Sequence, residues 1–303
     1  MPPIRPPTAA DTTKLFLLGA IWGSAFLCIA IALEDFQPMT VAAVRITLAG
    51  LALCSAAWLR GERGSVDGRM LLLLVLIGFF NSALPFTLIS WGQQHIDSSR
   101  AAILMAMGPF IVLLMSHLFT NDDRLTAPKL AGMALGFGGV VLLIGADVLF
   151  GARSGVLGQL AVVGASTSYA VAGLLTRRAA TLPPLLWSGI VLMTASAYMV
   201  PAALVVDQPW TATPDWRSMA ALLFLSVGPT GFAYVLRFQI IRNCGMTFMS
   251  QVSYLVPMFG VFWGWLFLAE TPSPRLWAAL ALIVAGIYVS RLGRRRGAGV
   301  AAR

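Results

Sequence analysis

The sequence predicts an all-α integral membrane protein of ten transmembrane helices, built as two inverted five-helix repeats. Three observations lead to this prediction. The 303 residues are 58% hydrophobic and 11% charged, whereas soluble domains carry roughly 25% charged residues. A constant shift of 148 positions aligns Pro109 with Pro257, Asp122 with Glu270 and Gly138 with Gly286. Basic residues gather in alternate connectors between the apolar runs.

Ten apolar runs mark the expected helices. The first, 15–33, has no charged residue, and at 1.5 Å per residue it spans about 28 Å, enough for the hydrocarbon core of a bilayer. Short connectors rich in Gly, Pro and charged residues separate the runs. The runs are 15–33, 40–59, 70–91, 98–119, 129–146, 155–176, 185–206, 217–236, 246–268 and 275–292.

The internal repeat predicts two domains, residues 1–148 with helices 1–5 and residues 149–303 with helices 6–10. Each copy contains an apolar run with a proline, then an acidic turn, then an apolar run with glycine. Because five is an odd number of crossings, the second copy must enter the membrane from the opposite side. Inverted repeats of this kind are typical of transporters that bind solute between the two halves.

The charge distribution predicts the orientation. With the N-terminus in the cytoplasm, 16 of the 21 Lys and Arg residues fall in cytoplasmic segments, so both termini are expected inside. The net charge of +9 lies at run ends rather than along one stripe, which argues against nucleic acid as a partner. The 19 arginines against 2 lysines, with abundant alanine, favour a bacterial cytoplasmic (inner) membrane. The other basic residues are Arg100, Arg153, Arg217 and Arg275 on the opposite side, and Arg45 inside a run.

Several short motifs, in their order along the chain, resemble the drug/metabolite transporter superfamily and specifically its EamA-like ten-helix branch. The resemblance implies export of amino acids and related metabolites, including aromatic amino acids as in exporters of the YddG kind. The chain departs from the family pattern at Asn121-Asp122-Asp123, where a single Glu is usual. The motifs are Trp22-Gly23-Ser24, Pro38 with Arg45, the Pro109 run followed by Gly132 to Gly145, and Tyr254-Leu255-Val256-Pro257 through Leu268-Ala269-Glu270.

Arg45 is the one cation well inside a run, and a charge at that depth is a candidate functional group because leaving it unpaired is costly. The alternative is that it reaches outward to Glu34 or Asp35, or caps backbone carbonyls. All twelve acidic residues lie in connectors or at helix ends. We therefore expect a facilitator or an indirectly coupled carrier of neutral, zwitterionic or amphipathic solutes, rather than of phosphate esters or dications.

Polar and aromatic residues in the middle of the runs are the candidate solute-binding groups. Aromatic faces can hold an ammonium group, while amides and hydroxyls can take a carboxylate. The alternative is that these residues pack, form interface belts or bond their own helix backbone. The candidates are Trp22, Ser24, Arg45, Asn81, Phe86, Ser166, Ser168, Tyr169, Tyr234, Ser250, Gln251, Tyr254 and Trp263. Ser250, Tyr254 and Pro257 are expected on one helix face.

Four prolines, Pro85, Pro109, Pro229 and Pro257, are candidate hinges, or else static kinks. Glu270 is expected to fix the turn between the last two helices.

The sequence carries no enzyme motif and indicates no metal or cofactor, so the expected partners are a small solute and the bilayer, with the chain a monomer or homodimer. A multidrug or hydrophobic-solute exporter and a lipid-translocating protein remain as alternatives.

Overall fold

The computed structural model describes residues 6–119, 126–149, 153–176 and 182–300, and within these ranges all regular structure is helical. One short 3-10 turn spans Pro209–Thr211. The α-helices are α1 (Ala9–Ala32), α2 (Pro38–Leu59), α3 (Gly68–Gly78), α4 (Leu84–Gln93), α5 (Ser98–Met105), α6 (Gly108–Phe119), α7 (Ala127–Leu149), α8 (Arg153–Thr176), α9 (Pro184–Val206), α10 (Trp216–Leu225), α11 (Ala233–Met249), α12 (Val252–Leu268) and α13 (Pro274–Val300).

These helices confirm a multi-pass membrane protein. Seven stretches are long and apolar enough to cross a bilayer, and three shorter apolar helices accompany them. Large apolar side chains such as Leu72, Val141 and Trp265 are 63%, 65% and 54% exposed, as expected where the surrounding solvent is lipid. The long stretches are Ala9–Ala32, Pro38–Leu59, Gly68–Gln93, Ser98–Phe119, Gly155–Thr176, Pro184–Val206 and Trp216–Gly245, and the shorter ones are Ala127–Leu143, Val252–Leu268 and Pro274–Ser290. All ten follow the predicted order.

A π-helical turn interrupts one long stretch in each half of the chain. Phe79–Ala83 joins α3 to α4, and Ser226–Phe232 joins α10 to α11. The repeat shift maps 79–83 onto 227–231, so the two turns are equivalent. Pro229 lies inside the second turn and Pro85 follows the first. Proline has no N–H to donate, so the helix loses a backbone hydrogen bond near it. The wider π-helical turn is consistent with that loss.

The prolines Pro109 and Pro257 do not occupy equivalent local structure. The chain turns at Ala106 and Met107, and Pro109 is the second residue of α6, where a proline is tolerated. Pro257 lies inside the continuous helix α12. In the second half the backbone breaks earlier, at Gly245, whose φ is 83°.

Helices α2 and α9 hold equivalent places in the two halves. The acidic residue that follows each of these helices caps the N-terminus of the other helix. Glu62 accepts a 3.1 Å hydrogen bond from the Leu186 N–H in the first turn of α9. Asp207, at the end of α9, accepts from the N–H and hydroxyl of Thr40 in α2, at 2.6 and 3.0 Å. The two helices also pack along their length. Each half therefore completes a helix end of the other.

Glu270 corrects one expectation. Instead of only fixing the local turn, its carboxylate accepts from the N–H groups of Ser98 and Ser99, at 2.8 and 3.0 Å, and the Ser99 hydroxyl also donates to it. Ala269 ends α12 with a φ of 52°, which reverses the chain and brings Glu270 back toward the helix. The carboxylate of the second half thus caps α5 of the first half.

Small residues allow two close helix contacts. A Cβ at Gly23 of α1 would lie 2.6 Å from the Phe259 Cβ and 2.9 Å from the Gly260 nitrogen of α12. A Cβ at Gly132 of α7 would meet the backbone of α13. Gly23 and Gly132 therefore pack against other helices of the same chain.

We expect Gly23→Ala to lower stability, because α12 must move to admit a methyl group against its backbone. Overpacking of this kind costs about 1–3 kcal/mol. Gly138→Ala is the matched control, since Gly138 is exposed on α7 and its added Cβ would contact nothing within 4 Å. The apparent melting temperature of the purified protein in detergent measures both. Equal melting temperatures for the two variants would contradict the close packing of α1 on α12.

Glu270→Ala should also lower the apparent melting temperature, because two N–H groups at the start of α5 lose a charged acceptor, at a cost of about 1–2 kcal/mol. Glu34→Ala removes an exposed carboxylate for which the described part of the chain shows no hydrogen bond, and it should leave the melting temperature unchanged. A loss of the same size in both variants would show that the capping contact is not stabilising.

Candidate functional site

Two side chains from the first half of the chain bond to the second π-helical turn. The Trp22 indole Nε1 donates to the Pro229 carbonyl oxygen at 3.1 Å. The Arg45 Nε donates to the Thr230 hydroxyl at 2.6 Å. These contacts bring α1 and α2 to a place where the backbone departs from α-helical bonding. Polar groups from both halves therefore converge inside the helical bundle.

The first π-helical turn takes part in the same region. The Asn81 side-chain amide donates to the Tyr234 hydroxyl oxygen at 3.3 Å and to the neighbouring Ser82 hydroxyl at 3.3 Å. Phe86, 6% exposed, lies one turn further along. We call the group of these residues the inter-repeat site; its members are Trp22, Arg45, Asn81, Phe86, Thr230 and Tyr234.

The guanidinium of Arg45 is the charged centre of this site. The residue is 7% exposed, and the guanidinium carbon lies 3.8 Å from the centroid of the Phe86 ring. Within the described ranges no carboxylate forms an ion pair with it. The alternative that Arg45 reaches Glu34 or Asp35 is not what the structure shows, because its hydrogen bond goes to Thr230.

Asp35 is engaged elsewhere. The Asp215 N–H donates to its carboxylate at 2.9 Å. This hydrogen bond, together with the Ser218 hydroxyl, holds the pKa of the Asp35 carboxyl below its usual range. Asp35 therefore ties two connectors together at the surface and is not the counter-ion of Arg45.

The second half contributes Ser168 and Tyr169 from α8. The Ser168 hydroxyl donates to the Phe80 carbonyl oxygen at 2.7 Å, in the first π-helical turn. Tyr169 packs against the two largest apolar clusters. Trp22 pairs a carbonyl of one π-helical turn and Ser168 pairs a carbonyl of the other, so both breaks are covered from the opposite half.

Three other candidates form hydrogen bonds to their own helix or to a neighbouring one. Ser24 donates to the Ile21 carbonyl of its own helix at 2.8 Å, and Ser166 donates to the Met105 sulfur at 3.4 Å. Trp263 donates to the Ala20 carbonyl at 3.0 Å and so fastens α12 to α1.

The expected shared face of Ser250, Tyr254 and Pro257 is wrong in part. Ser250 and Gln251 form the turn before α12, and Gln251 is exposed. Tyr254 and Pro257 do lie on α12, where Tyr254 packs against the largest apolar cluster. The break at Gly245 shifts the start of the helix, which a helical repeat counted from Ser250 does not reveal.

Thr230 is a site residue that the sequence analysis missed. It is 1% exposed, accepts from Arg45, and donates to the Leu225 carbonyl oxygen at 2.9 Å. Its signal was present in the run Gly228-Pro229-Thr230-Gly231. Two glycines and a proline in an apolar run mark a broken helix, and a hydroxyl at such a break commonly pairs a freed backbone group.

Among the described residues, no group of three His, Cys, Asp or Glu side chains is placed to hold a metal ion. The arrangement can hydrogen-bond a solute and stack on it, and it can hold an anion against Arg45.

Fold and site together define a class: a multi-pass helical membrane protein whose two related halves meet through buried polar groups. The chain belongs to the EamA-like transporter family, whose family model matches residues 13–145 and 156–292. The two matches confirm two copies of one unit. The boundary between residues 148 and 149 stays a prediction.

Comparison with curated proteins gives related transporters. The uncharacterized inner membrane transporter YedA of Escherichia coli K12 is 29% identical over 282 residues, covering 92% of this chain and 90% of YedA. A probable terminal-alkyne amino-acid exporter of Streptantibioticus cattleyicolor is 26% identical, with 95% and 97% covered. An S-adenosylmethionine/S-adenosylhomocysteine transporter of Chlamydia trachomatis is 27% identical, with 90% and 86% covered.

A solved crystal structure has the same fold. It matches with a TM-score of 0.66 and 22% sequence identity, over 96% of this chain and 99% of the other. At this identity the likeness is one of fold alone. The family match and the named relatives identify membrane transport as the activity of the class.

Proposed function

We propose that this protein is a carrier that exports small metabolites, amino acids including aromatic ones first among them, by alternating access of two inverted repeats. The solute binds at the inter-repeat site. The observation that supports this most directly is the hydrogen bonding of Trp22 and Arg45 across the repeats to the second π-helical turn. Irregular backbone at membrane depth is tolerated where it is buried in protein or lines a cavity, as in the broken helices of transporters.

The names of two relatives support the solute class. One is a probable terminal-alkyne amino-acid exporter and another carries S-adenosylmethionine. Both names refer to compounds that contain an amino-acid group. The inter-repeat site offers matching chemistry, with one guanidinium, an amide, hydroxyls and aromatic rings.

We propose ten crossings with both termini in the cytoplasm, in the inner membrane of a bacterium. The inner membrane transporter YedA supports the location, and contacts between helix ends support the sides assigned to the connectors. Each described polar contact between distant connectors joins two segments that this topology places on the same side of the membrane. Thr40 with Asp207, Asp35 with Asp215, and Ser98 with Glu270 share the outer side, while Glu62 with Leu186 and Asp11 with Asn243 share the inner side.

The energetics of transport follow from the position of the acidic residues. In the described part of the chain every carboxylate lies in a connector or within the first or last turn of a helix. Proton- or sodium-coupled carriers usually keep an acidic residue inside the membrane. We infer a facilitator, or a carrier coupled by an indirect route.

A hydrophobic solute is the second candidate. A groove of about 390 Å³ between α12 and α13 is lined by Met258, Val261, Phe262, Trp265, Pro272 and Trp277. An apolar groove of this size fits an acyl chain or an amphipathic drug better than a zwitterion. This observation favours the multidrug or lipid-translocating alternative at a place separate from Arg45.

We expect saturable uptake of one class of labelled amino acid into liposomes that hold the purified protein. Arg45→Ala and Trp22→Ala should each lower the uptake rate about 5- to 100-fold, because each removes a hydrogen bond worth roughly 1–3 kcal/mol at the site. Arg242→Ala and Trp216→Ala remove exposed residues of the same types and should transport like the wild type. A proton gradient across the vesicle should not drive accumulation.

Absence of uptake for every amino acid, with uptake of hydrophobic dyes or movement of labelled lipid, would reject the proposed solute in favour of the second candidate. Equal losses in the two exposed controls would show that the variants report on reconstitution rather than on the site. Accumulation that follows an imposed proton gradient would reject the facilitator.

A further inference from the structure

We propose that Arg45 binds the carboxylate of a zwitterionic solute and that Thr230 is the positioning residue that holds its guanidinium for this contact. This inference rests on the proposed function and deepens it. It assigns to one end of the solute a specific partner in the inter-repeat site.

The geometry leaves one edge of the guanidinium for a ligand. A guanidinium has five N–H donors in one plane. In the described part of the chain, Nε is the donor that bonds to protein, with Thr230 at 2.6 Å. The Phe86 ring covers one face of the group at 3.8 Å. The two terminal nitrogens form the opposite edge of the plane, which is the edge that carboxylates bind with two parallel hydrogen bonds.

Electrostatics require an anion at that edge. Arg45 is 93% buried in an apolar bundle, since its exposed fraction is 7%, and a buried cation without a counter-ion is costly. No carboxylate among the described residues pairs with it. A single guanidinium matches one negative charge, which fits a carboxylate better than a phosphate ester, since phosphate sites cluster several cations.

Thr230 explains why the guanidinium keeps this orientation. Its hydroxyl accepts from Arg45 and donates to the Leu225 carbonyl, five residues back in the π-helical turn. The single O–H of Thr230 bonds to Leu225 and its oxygen accepts from Arg45, so one rotamer satisfies both contacts. The direction of the free guanidinium edge is therefore fixed by the backbone of the second half of the chain.

The hydrogen bonds of Thr230 to Arg45 and Leu225 would also connect a bound solute to the second π-helical turn. A carboxylate bound to Arg45 would be linked to the carbonyl of Leu225 through three successive hydrogen bonds, two of them within the protein. Loss of the Thr230 hydroxyl should release the guanidinium from its plane and weaken binding of carboxylates. Binding of solutes that lack a carboxylate should not change, because Thr230 is 1% exposed and Arg45 lies between it and the solute.

The test measures equilibrium binding to the full-length protein in nanodiscs by calorimetry. The probes are L-phenylalanine, L-tryptophan, L-leucine and L-methionine, each paired with its α-amide, which keeps the ammonium group and the side chain. We expect each bound acid to bind roughly 10- to 100-fold more tightly than its amide, as for a lost charge-assisted pair. Arg45→Met should reduce this ratio to about one, and Arg45→Lys should restore it only in part because lysine lacks the planar fork.

Thr230 is tested by two variants of similar size. Thr230→Ser keeps the hydroxyl and should keep the acid-to-amide ratio. Thr230→Val removes the hydroxyl and should lower acid binding about tenfold with amide binding unchanged. A merely structural role would instead lower the melting temperature and weaken acids and amides equally.

Three results would overturn the inference. These are equal binding of acids and amides by the wild type, an unchanged ratio in Arg45→Met, and the absence of binding by all four acids. Uptake by liposomes, measured on the same preparations, separates this failure from that of the proposed function. Transport that does not discriminate acids from amides rejects the role of Arg45 alone, whereas the absence of all transport rejects the carrier.

Discussion

Pairing of backbone polar groups inside the bilayer is the constraint on which this fold depends. A continuous α-helix meets it alone, but the two π-helical turns do not, because each frees carbonyl oxygens at membrane depth. The structure resolves this across the halves: Ser168 pairs the Phe80 carbonyl and Trp22 pairs the Pro229 carbonyl. The breaks therefore make each half dependent on the other.

Helix ends follow the same rule. The N–H groups at the start of α2, α5 and α9 find their acceptors in Asp207, Glu270 and Glu62, each of which belongs to the opposite half. A carboxylate is a suitable partner there, because it meets both the unpaired donors and the positive end of the helix dipole. Neither half could keep these ends paired by itself in the arrangement observed. Asp207, Glu270 and Glu62 are thus structural, whereas Arg45 is a buried charge that no carboxylate among the described residues neutralises.

The sequence was sufficient for a multi-pass helical membrane protein with two related halves, but not for the partners of its polar residues. Hydropathy located the helical stretches, and a charge inside an apolar run singled out Arg45. Thr230 and the role of Glu270 were missed, since a contact between Glu270 and Ser98 joins segments far apart in the chain and leaves no local pattern. The π-helical form of the two turns was missed, because Pro85 and Pro229 predict a bend in a helix but not the hydrogen-bond pattern at that bend. The repeat shift did contain that information, since it aligns the two breaks.

Comparison of equivalent positions separates what the two halves share from what they do not. The π-helical turns and the hydroxyls of Ser82 and Thr230 occur at equivalent positions in both halves. Arg45 has Met193 at its equivalent position and Trp22 has Ala170. The shared parts are those that alternating access would exchange between two conformations. The unshared parts place a single positive charge to one side of the centre, and a site with one charge can hold a zwitterion in only one direction. For the alternating access proposed above, a repeated scaffold with one off-centre charge would keep the solute in the same orientation in both conformations.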